Sequence, residues 1–287
     1  MLAKERIVGF IGAGNMAYGL IKGMRDAESN IKIFFYDPDD ERTKFVKNSL
    51  RVNALSSIGE IVENCDTVFI AVKPYSVESV LEVSAQTLNN FIKGKKPPVF
   101  VSIAGGIKID FIERIFDKML KDFIKQSHPL KIFRVMPNIN SLVGKGMSVI
   151  CHNVNVYKED ACLIIKLIET SSKVVSADEK YFDAVTALSG SGPAYIFLIA
   201  EGLIEAGVKL GLPKEIAKTL SVQTILGSAE ILNSNEFSKT STKELKDMVT
   251  SSGGTTAYGL AKLEEGRIKY VIDSAVDAAY LRAKGLI

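Results

Sequence analysis

The chain has 287 residues, 47% of them apolar, and its 36 basic and 33 acidic side chains leave a formal charge of +3. That length allows one large or two ordinary domains with a substantial buried core. The balanced charge, spread without long blocks, excludes the electrostatic footprint of a nucleic-acid binder.

The opening MLAKER runs directly into an apolar strand, which leaves no room for a cleavable signal, and no apolar run is expected to approach membrane-spanning length. From residue 6 short apolar runs alternate with amphipathic stretches: IVGFIG, MAYGLIKGM, IKIFFYD, ERTKFVKNSL. This is the pattern of repeated βαβ units. Further strands are predicted at TVFIAV (67–72), PVFVSI (98–103), KIFRVM (131–136) and GMSVIC (146–151), most of them as continuous in Val, Ile and Phe as strands buried on both faces. The short basic run Lys93, Lys95, Lys96 reads as a solvated loop.

After about residue 175 the strand signal stops and helical periodicity takes over. Phe182, Val185 and Leu188 open one helix; Ile196, Ile199 and Leu203 belong to a second, with Gly207 and Gly211 near its end. Pro213 sits at the first turn of the next, which runs through Ile216, Leu220 and Ile225. The expected architecture is therefore an α/β domain over residues 1–175, a doubly wound parallel sheet with helices on both faces, followed by an all-helical domain over 176–287. The helices AYIFLIAEGLI and TLSVQTILGSAEIL carry enough apolar residues for burial on more than one side, which suggests a dimer sharing a helical core. A self-contained bundle is the alternative.

The strand IVGFIG leads into Gly12-Ala13-Gly14-Asn15-Met16-Ala17, where a helix begins. A G-x-G-x-x-A pattern between strand and helix at the start of a βαβ unit is the context of a dinucleotide site. Gly12 permits the tight turn, Gly14 lets a pyrophosphate approach the backbone, and Ala17 lets the helix pack closely on the strand. The helix N-terminus then offers unpaired N–H groups to the phosphates. Asp37 follows the second strand, twenty-five residues after Gly12, where a carboxylate accepts hydrogen bonds from an adenosine ribose and repels a 2′-phosphate, so NADH is the favoured cofactor. Arg42 and Lys44 lie just beyond and partly offset that repulsion. The alternative is that Asp37 only initiates the Asp37-Pro38 turn. Ligands of open α/β sheets bind outside the carboxyl ends of the strands, which adds Ala71-Val72-Lys73-Pro74, Ala104-Gly105-Gly106 and Pro137-Asn138 as backbone that can line a nicotinamide.

This half offers no catalytic His, Lys or Asp constellation. His128 falls in a charged insertion and His152 in a polar loop, and neither is assigned to catalysis; no metal site is expected. The three cysteines, Cys65, Cys151 and Cys162, are odd in number and far apart, which suggests neither zinc nor a disulfide framework and points to a reducing, cytoplasmic setting. The stretch VTSSGGTTAYG, residues 249–259, lies between the helices KELKDMV and AYGLAKLEEG. Such a glycine-rich turn is an anion cradle: the N–H groups of Gly254, Thr255 and Thr256 can converge on a carboxylate, with Ser251 adding a hydroxyl. A turn capped by Thr255 or Thr256 is the competing reading.

In chain order, VGFIGAGNMA, FIAVKP, SIAGG, RVMPN, ALSGSGPAY and SSGGTTAYGLAKLEEG resemble pyrroline-5-carboxylate reductase, and the resemblance spans nearly the whole chain. It implies reduction of the cyclic imine 1-pyrroline-5-carboxylate to L-proline by NADH or NADPH, the last step of proline synthesis. It also implies a Rossmann domain followed by a helical dimerisation domain, in homodimers that assemble into decamers, with no nucleic-acid or membrane partner. By position it implies that Gly12 to Ala17 hold the pyrophosphate, that Ala71 to Pro74 and Ala104-Gly105 flank the cofactor, and that Ser251, Gly253, Gly254, Thr255 and Thr256 bind the substrate carboxylate. Thr256 matches the threonine that hydrogen-bonds the imine nitrogen, and Glu179 a further substrate-site position.

Three features depart from the family pattern. Ser57-Ile58 stand where many relatives carry an asparagine, Asn138-Ile139-Asn140-Ser141 replaces Asn-Thr-Pro, and Lys118 to Ser127 reads as a peripheral insertion. Two other readings remain open: a hydroxyacid dehydrogenase of the same architecture, which would need a helix-borne lysine, and a dinucleotide-binding sensor without turnover.

Overall fold

The computed structural model describes residues 6–27, 30–90, 95–121 and 128–286. Lys93 of the basic run and residues 122–127 of the expected insertion lie outside them. Two compact units emerge, the first running to Gly190 and taking in the last residues from Arg282, the second Ser191–Leu281.

The first unit is built on an eight-stranded sheet of order β3-β2-β1-β4-β5-β6-β7-β8. Its strands are β1 (Arg6–Ile11), β2 (Ile31–Tyr36), β3 (Asn53–Ala54), β4 (Thr67–Ile70), β5 (Val99–Ser102), β6 (Ile132–Met136), β7 (Gly146–His152) and β8 (Ser172–Ser176). The order 3-2-1-4-5-6 is that of a doubly wound dinucleotide fold, with its switch point between β1 and β4. Strand β4 is buried along its whole length and β1 from Val8 onward, as central strands covered on both faces must be. Phe10 and Phe69 stack across the switch point with ring centroids 4.7 Å apart.

Two apolar layers sandwich the sheet. One packs α1 (Asn15–Asp26), α2 (Asp40–Leu50) and α6 (Lys158–Glu169) through Leu20, Met24, Val46 and Ile164. The other packs α3 (Ile58–Asn64), α4 (Val77–Asn89) and α5 (Ile109–Met119) through Ile61, Leu81 and Phe116. In α1 the buried Ala17, Leu20, Ile21 and Met24 recur at helical spacing, so one stripe of the helix lies on the sheet.

The sheet departs from the expected all-parallel form at β7, which runs antiparallel to β6. The connection from Met136 to Gly146 is a 3₁₀ turn, Ile139–Val143, ended by Gly144 at φ +70°, and it is too short for the dozen or so residues of a parallel crossover. The edge strands β3 and β8 carried no clear apolar signal: β3 has two residues, and in SKVVS Lys173, Val175 and Ser176 are exposed.

The sheet ends at Ser176, beside the expected boundary at 175, but the chain stays with the first unit as far as Gly190. Phe182 and Ala187 are buried there, the guanidinium of Arg134 lies 4.6 Å from the Phe182 ring centroid, and the Asn138 amide donates to the Ser189 carbonyl at 3.1 Å.

The 31-residue helical stretch Glu179–Lys209, alone among the described residues, is long and apolar enough to cross a membrane by length and composition. The expectation that no run approaches that length therefore fails. Thr186–Gly190 forms a π-helical turn that ends before the Ser191 bend, and Pro193 is tolerated in the first turn of α7 (Gly192–Lys209).

The second unit continues with α8 (Lys214–Asn233), α9 (Thr242–Met248), α10 (Thr255–Glu265) and α11 (Ile268–Ala283). Gly207 of α7 packs close to Ala217 of α8. Pro193, Ala217 and Ser221 are the fully buried residues described in this unit, whereas Phe197, Leu198 and Leu220 are 62%, 67% and 54% exposed. These helices do not close an apolar core of their own within one chain, as the self-contained bundle would require.

Candidate functional site

The turn after β1 is shaped by crowding. Gly12 lies at φ +90°, and a Cβ on it would stand 2.7 Å from the Ala71 carbonyl oxygen at the end of β4. Only glycine fits both that dihedral angle and that approach. Its N–H donates to the Tyr36 carbonyl at 2.8 Å, tying the turn to the end of β2. Gly14 differs: it is exposed, and a Cβ there would meet nothing within 4 Å. It is the N-cap of α1 without a side-chain cap, so the first N–H groups of the helix, at Asn15, Met16 and Ala17, have neither an intrahelical partner nor a capping side chain at the positive helix end. Ala17 is buried against the sheet. An open cradle of amides with bare Cα above it suits a pyrophosphate.

Asp37 is positioned where the sequence places it, immediately after β2, but its carboxylate is already engaged. Oδ2 accepts from Ala13 N–H at 2.7 Å, and Oδ1 accepts from Asp39 N–H at 3.0 Å. Both oxygens thus brace the phosphate loop and the start of α2, and the ribose is not their first partner. Arg42 grips the same loop residue from its other side, Nε donating to the Ala13 carbonyl at 2.6 Å. Lys44 is exposed. The grip of Arg42 carried no sequence signal beyond proximity to Asp37.

Backbone at other strand ends lies at the same edge of the sheet. Ala71 N–H donates to Ile11 O at 2.8 Å, and Ile103 N–H to Ile70 O at 3.0 Å. Val72 is half-buried, Lys73 is exposed, and Pro74 opens a 3₁₀ turn. Ala104 is buried and Gly105 open to approach. Asn138 reaches this edge as well, yet its amide is spent on the scaffold: Nδ2 donates to Ser189 O, and Oδ1 accepts from Met147 N–H at 3.0 Å. Residues 138–141 form a turn in which Ser141 N–H donates to Asn138 O at 3.2 Å. A cleft lined by Asp66, Lys96, His128 and Lys131 opens at the amino ends of β1, β4, β5 and β6, the edge away from ligands in such sheets.

Glu179 makes contacts of its own within the first unit. One carboxylate oxygen, Oε1, accepts from Arg134 Nη1 at 2.9 Å and from Ile109 N–H at 2.8 Å. It thereby caps α5, whose N-terminus has no local side-chain cap, and fixes the end of the Ala104–Lys108 loop. Arg134, with a side chain 3% exposed, is a residue the sequence reading did not assign. An arginine inside the apolar strand IFRVM was the signal that a buried partner existed.

In the second unit, α9 opens with a reciprocal Ser241–Glu244 capping box, which holds the Glu244 carboxyl below its usual range through the Ser241 N–H. Thr250 Oγ1 closes α9 by donating to Lys246 O at 2.7 Å. Gly253 then turns the chain at φ +68°, and Gly254, packed against the Ser251 hydroxyl, is the N-cap of α10. Gly254 N–H donates to Ser251 O at 3.1 Å, so of the three amides expected to converge on an anion this one is occupied. No side chain caps α10, which also removes the capped-turn reading for Thr255 and Thr256. Their N–H groups are the free donors at the positive end of the helix, with Ser251 exposed beside them.

His152 is structural: Nδ1 lies 2.9 Å from Asn153 O, and the ring meets Phe133 edge-on. Burial pushes the thiols of Cys65 and Cys151 up to about 12, with Asp66 adding to the first and Glu179 to the second. Among the described residues no group of three or more His, Cys, Asp or Glu could hold a metal ion.

Residues 179–286 match the pyrroline-5-carboxylate reductase dimerisation family, and residues 7–94 match the family described as NADP oxidoreductase, coenzyme F420-dependent. The pyrroline-5-carboxylate reductase of Arabidopsis thaliana is 38% identical over 97% of this chain and 95% of its own. The crystal structure of Plasmodium falciparum pyrroline carboxylate reductase with NADP bound superposes with a TM-score of 0.81 at 35% identity, covering 99% of this chain and 98% of that one. A pyrroline-5-carboxylate reductase structure from Coxiella burnetii gives 0.82 at 31%, covering 99% of each chain. From the glycine turn after β1 to the last helix, the chain belongs to the pyrroline-5-carboxylate reductase family.

Proposed function

We propose that the protein reduces 1-pyrroline-5-carboxylate to L-proline with NAD(P)H, the last step of proline synthesis. The observation that carries this reading is the Ser251–Thr256 turn, where the uncapped N-terminus of α10 and the free amides of Thr255 and Thr256 suit a small carboxylate. Uncharged donors serve here because the imine nitrogen is itself cationic when protonated, and addition to C=N is easiest in that form. NAD(P)H, when bound, supplies the hydride.

The first unit holds the dinucleotide: Gly12 to Ala17 receive the pyrophosphate, and Ala71 to Pro74 with Ala104-Gly105 line the nicotinamide end. The second unit orients the imino acid, with Ser251 and the amides of Thr255 and Thr256 on its carboxylate. The Thr256 hydroxyl steadies the nitrogen as its charge changes, a role that needs a donor or acceptor without a charge. Orientation of this kind, not acid–base power, is the main contribution the residues make. Glu179 acts through Arg134 and Ile109 as a positioning residue for the 104–108 loop. The expected lean towards NADH, drawn from repulsion between the Asp37 carboxylate and a 2′-phosphate, is not carried further: both carboxylate oxygens already accept a backbone N–H, and NADH and NADPH are both retained.

The exposed apolar faces of α7 and α8 belong, on this reading, in a homodimer, with decamers as the higher assembly the family resemblance implies; sedimentation separates the two. A cytoplasmic location accords with three free thiols. The reaction is tested by following NADH and NADPH oxidation with the cyclic imine and with a panel of 2-keto acids. Turnover on the imine is expected; turnover on a keto acid alone would identify the dehydrogenase alternative, and tight binding without turnover the sensor.

A further inference from the structure

Arg134, Met136 and Asn138 alternate along β6 and the extended residues that follow it, Asn138 having φ −130° and ψ 167°, so their side chains share one face of the sheet. All three meet the segment between Glu179 and Gly190. Arg134 Nη1 donates to Glu179 Oε1 at 2.9 Å, and its guanidinium lies over the Phe182 ring. Gly190 lies against the Met136 methyl group, and Asn138 Nδ2 donates to Ser189 O at 3.1 Å. The segment is thereby clasped at its start and at its end, and its end is the joint at which the first unit gives way to the second.

The bond at Ser189 meets a need that the sequence creates. A helical carbonyl takes the N–H four residues on, or five on in a π turn. Four residues after Ser189 stands Pro193, which has no N–H, and the N–H of Ala194, five on, donates to Ser191 O at 3.0 Å. The Asn138 amide takes the carbonyl that these two leave. Asn138 is 6% exposed, and its Oδ1 accepts from Met147 N–H at 3.0 Å, which sets the orientation of the amide and ties the joint to β7 as well as to the end of β6.

We propose that Asn138 is a positioning residue of the reaction, seating the joint at Ser189-Gly190 through the carbonyl that Pro193 leaves without a helical donor. The inference deepens the reductase reading and rests on it, since there the first unit holds the hydride donor and the second the imino acid. Hydride transfer tolerates little misplacement of the reacting atoms, so slack at the joint lowers turnover. Dinucleotide affinity, which depends on the glycine turn after β1, is left as it was.

The test is Asn138→Asp, which keeps an acceptor for Met147 N–H and removes the donor to Ser189 O. It is made with and without Pro193→Ala, which returns an N–H to the helix where Ser189 O lacks one. Turnover of the cyclic imine, dinucleotide affinity by fluorescence titration and the urea midpoint are measured on the intact protein. With the dinucleotide that the wild type turns over faster, Asn138→Asp should lower kcat about tenfold and leave the dinucleotide Kd within about twofold. Pro193→Ala should raise kcat at least about threefold in the Asn138→Asp background and change it less than about twofold in the wild type, as expected of two residues coupled through one carbonyl. The urea midpoint should follow the same pattern. A raised Kd with kcat unchanged would make Asn138 a cofactor contact and overturn the assignment; so would a loss of kcat that Pro193→Ala leaves in place, or no change in either constant. Should Asn138→Asp fail to fold, the double variant decides: recovered folding and turnover support the seat, and no recovery rejects it. If the wild type turns over no imine, the reductase reading falls, and coupling between the two substitutions in the urea midpoint still decides whether Asn138 seats the joint.

Discussion

Gly12 and Gly14 sit two residues apart in the same loop, and the structure assigns them opposite costs. A methyl group on Gly12 would stand 2.7 Å from the Ala71 carbonyl oxygen, 2.8 Å from its carbonyl carbon and 3.0 Å from Val72 Cγ1. That backbone cannot retreat, because Ala71 N–H is bonded to Ile11 O at 2.8 Å. Overpacking of this kind costs about 1–3 kcal/mol, and the left-handed φ of +90° adds about 1–2 kcal/mol for alanine. Gly12→Ala should therefore lose about 2–5 kcal/mol, a large share of a typical domain stability of about 5–15 kcal/mol. Gly14 has φ −60°, and a Cβ there meets nothing, so Gly14→Ala should change stability by less than about 1 kcal/mol. Its methyl would instead occupy the approach of the pyrophosphate. Losing one charge-assisted hydrogen bond of about 1.5–3 kcal/mol weakens dinucleotide binding roughly 10- to 100-fold. Urea unfolding and NADPH fluorescence titration, run on both variants, separate the two effects. Wild-type affinity in Gly14→Ala would mean that no phosphate lies over that residue; a wild-type unfolding midpoint in Gly12→Ala would show that the crowding is relieved by movement.

Three further outcomes are expected. Thr256→Ala should lower turnover by about 10- to 1000-fold, the range for an active-site donor, with NADPH affinity unchanged; steady-state rates alongside binding titrations check it, and undiminished turnover removes Thr256 from the mechanism. Glu179→Ala strands the buried Arg134 guanidinium and the Ile109 N–H, and should cost about 3 kcal/mol in urea unfolding, the lower end for a broken buried pair because Glu179 is partly exposed. Glu179→Gln, which keeps an acceptor, should cost less, and equal loss in the two variants would count against the capping role. Cys65 and Cys151, raised to about 12, hold a thiolate fraction of only ~10⁻⁴ at pH 8, whereas Cys162 is exposed. A thiol reagent should titrate one cysteine in the native protein and all three after denaturation, with rapid reaction of a second native thiol as the contrary result.

The dinucleotide turn, the alternation of strands and helices and the glycine–threonine turn before α10 were all legible in the sequence, because each rests on local rules: a strand, a glycine at a forbidden angle, a helix start. The reversal of β7 was less so, since it follows from a connection too short to cross over and from pairing between distant segments. The last strand, β8, is polar enough to pass for loop, and it becomes a strand only because β7 offers a free edge. Side-chain assignments separated in the same way. Gly12 and Gly14 act through backbone that the sequence itself specifies, but Asp37, Asn138 and Glu179 each carry groups that can serve either a ligand or the scaffold. Only the tertiary structure supplies their scaffold partners, by bringing Ala13, Met147, Ser189, Arg134 and Ile109 within hydrogen-bonding reach of them. Residue type limits what a side chain can bond to; which partner it takes is set by the long-range packing that delivers one.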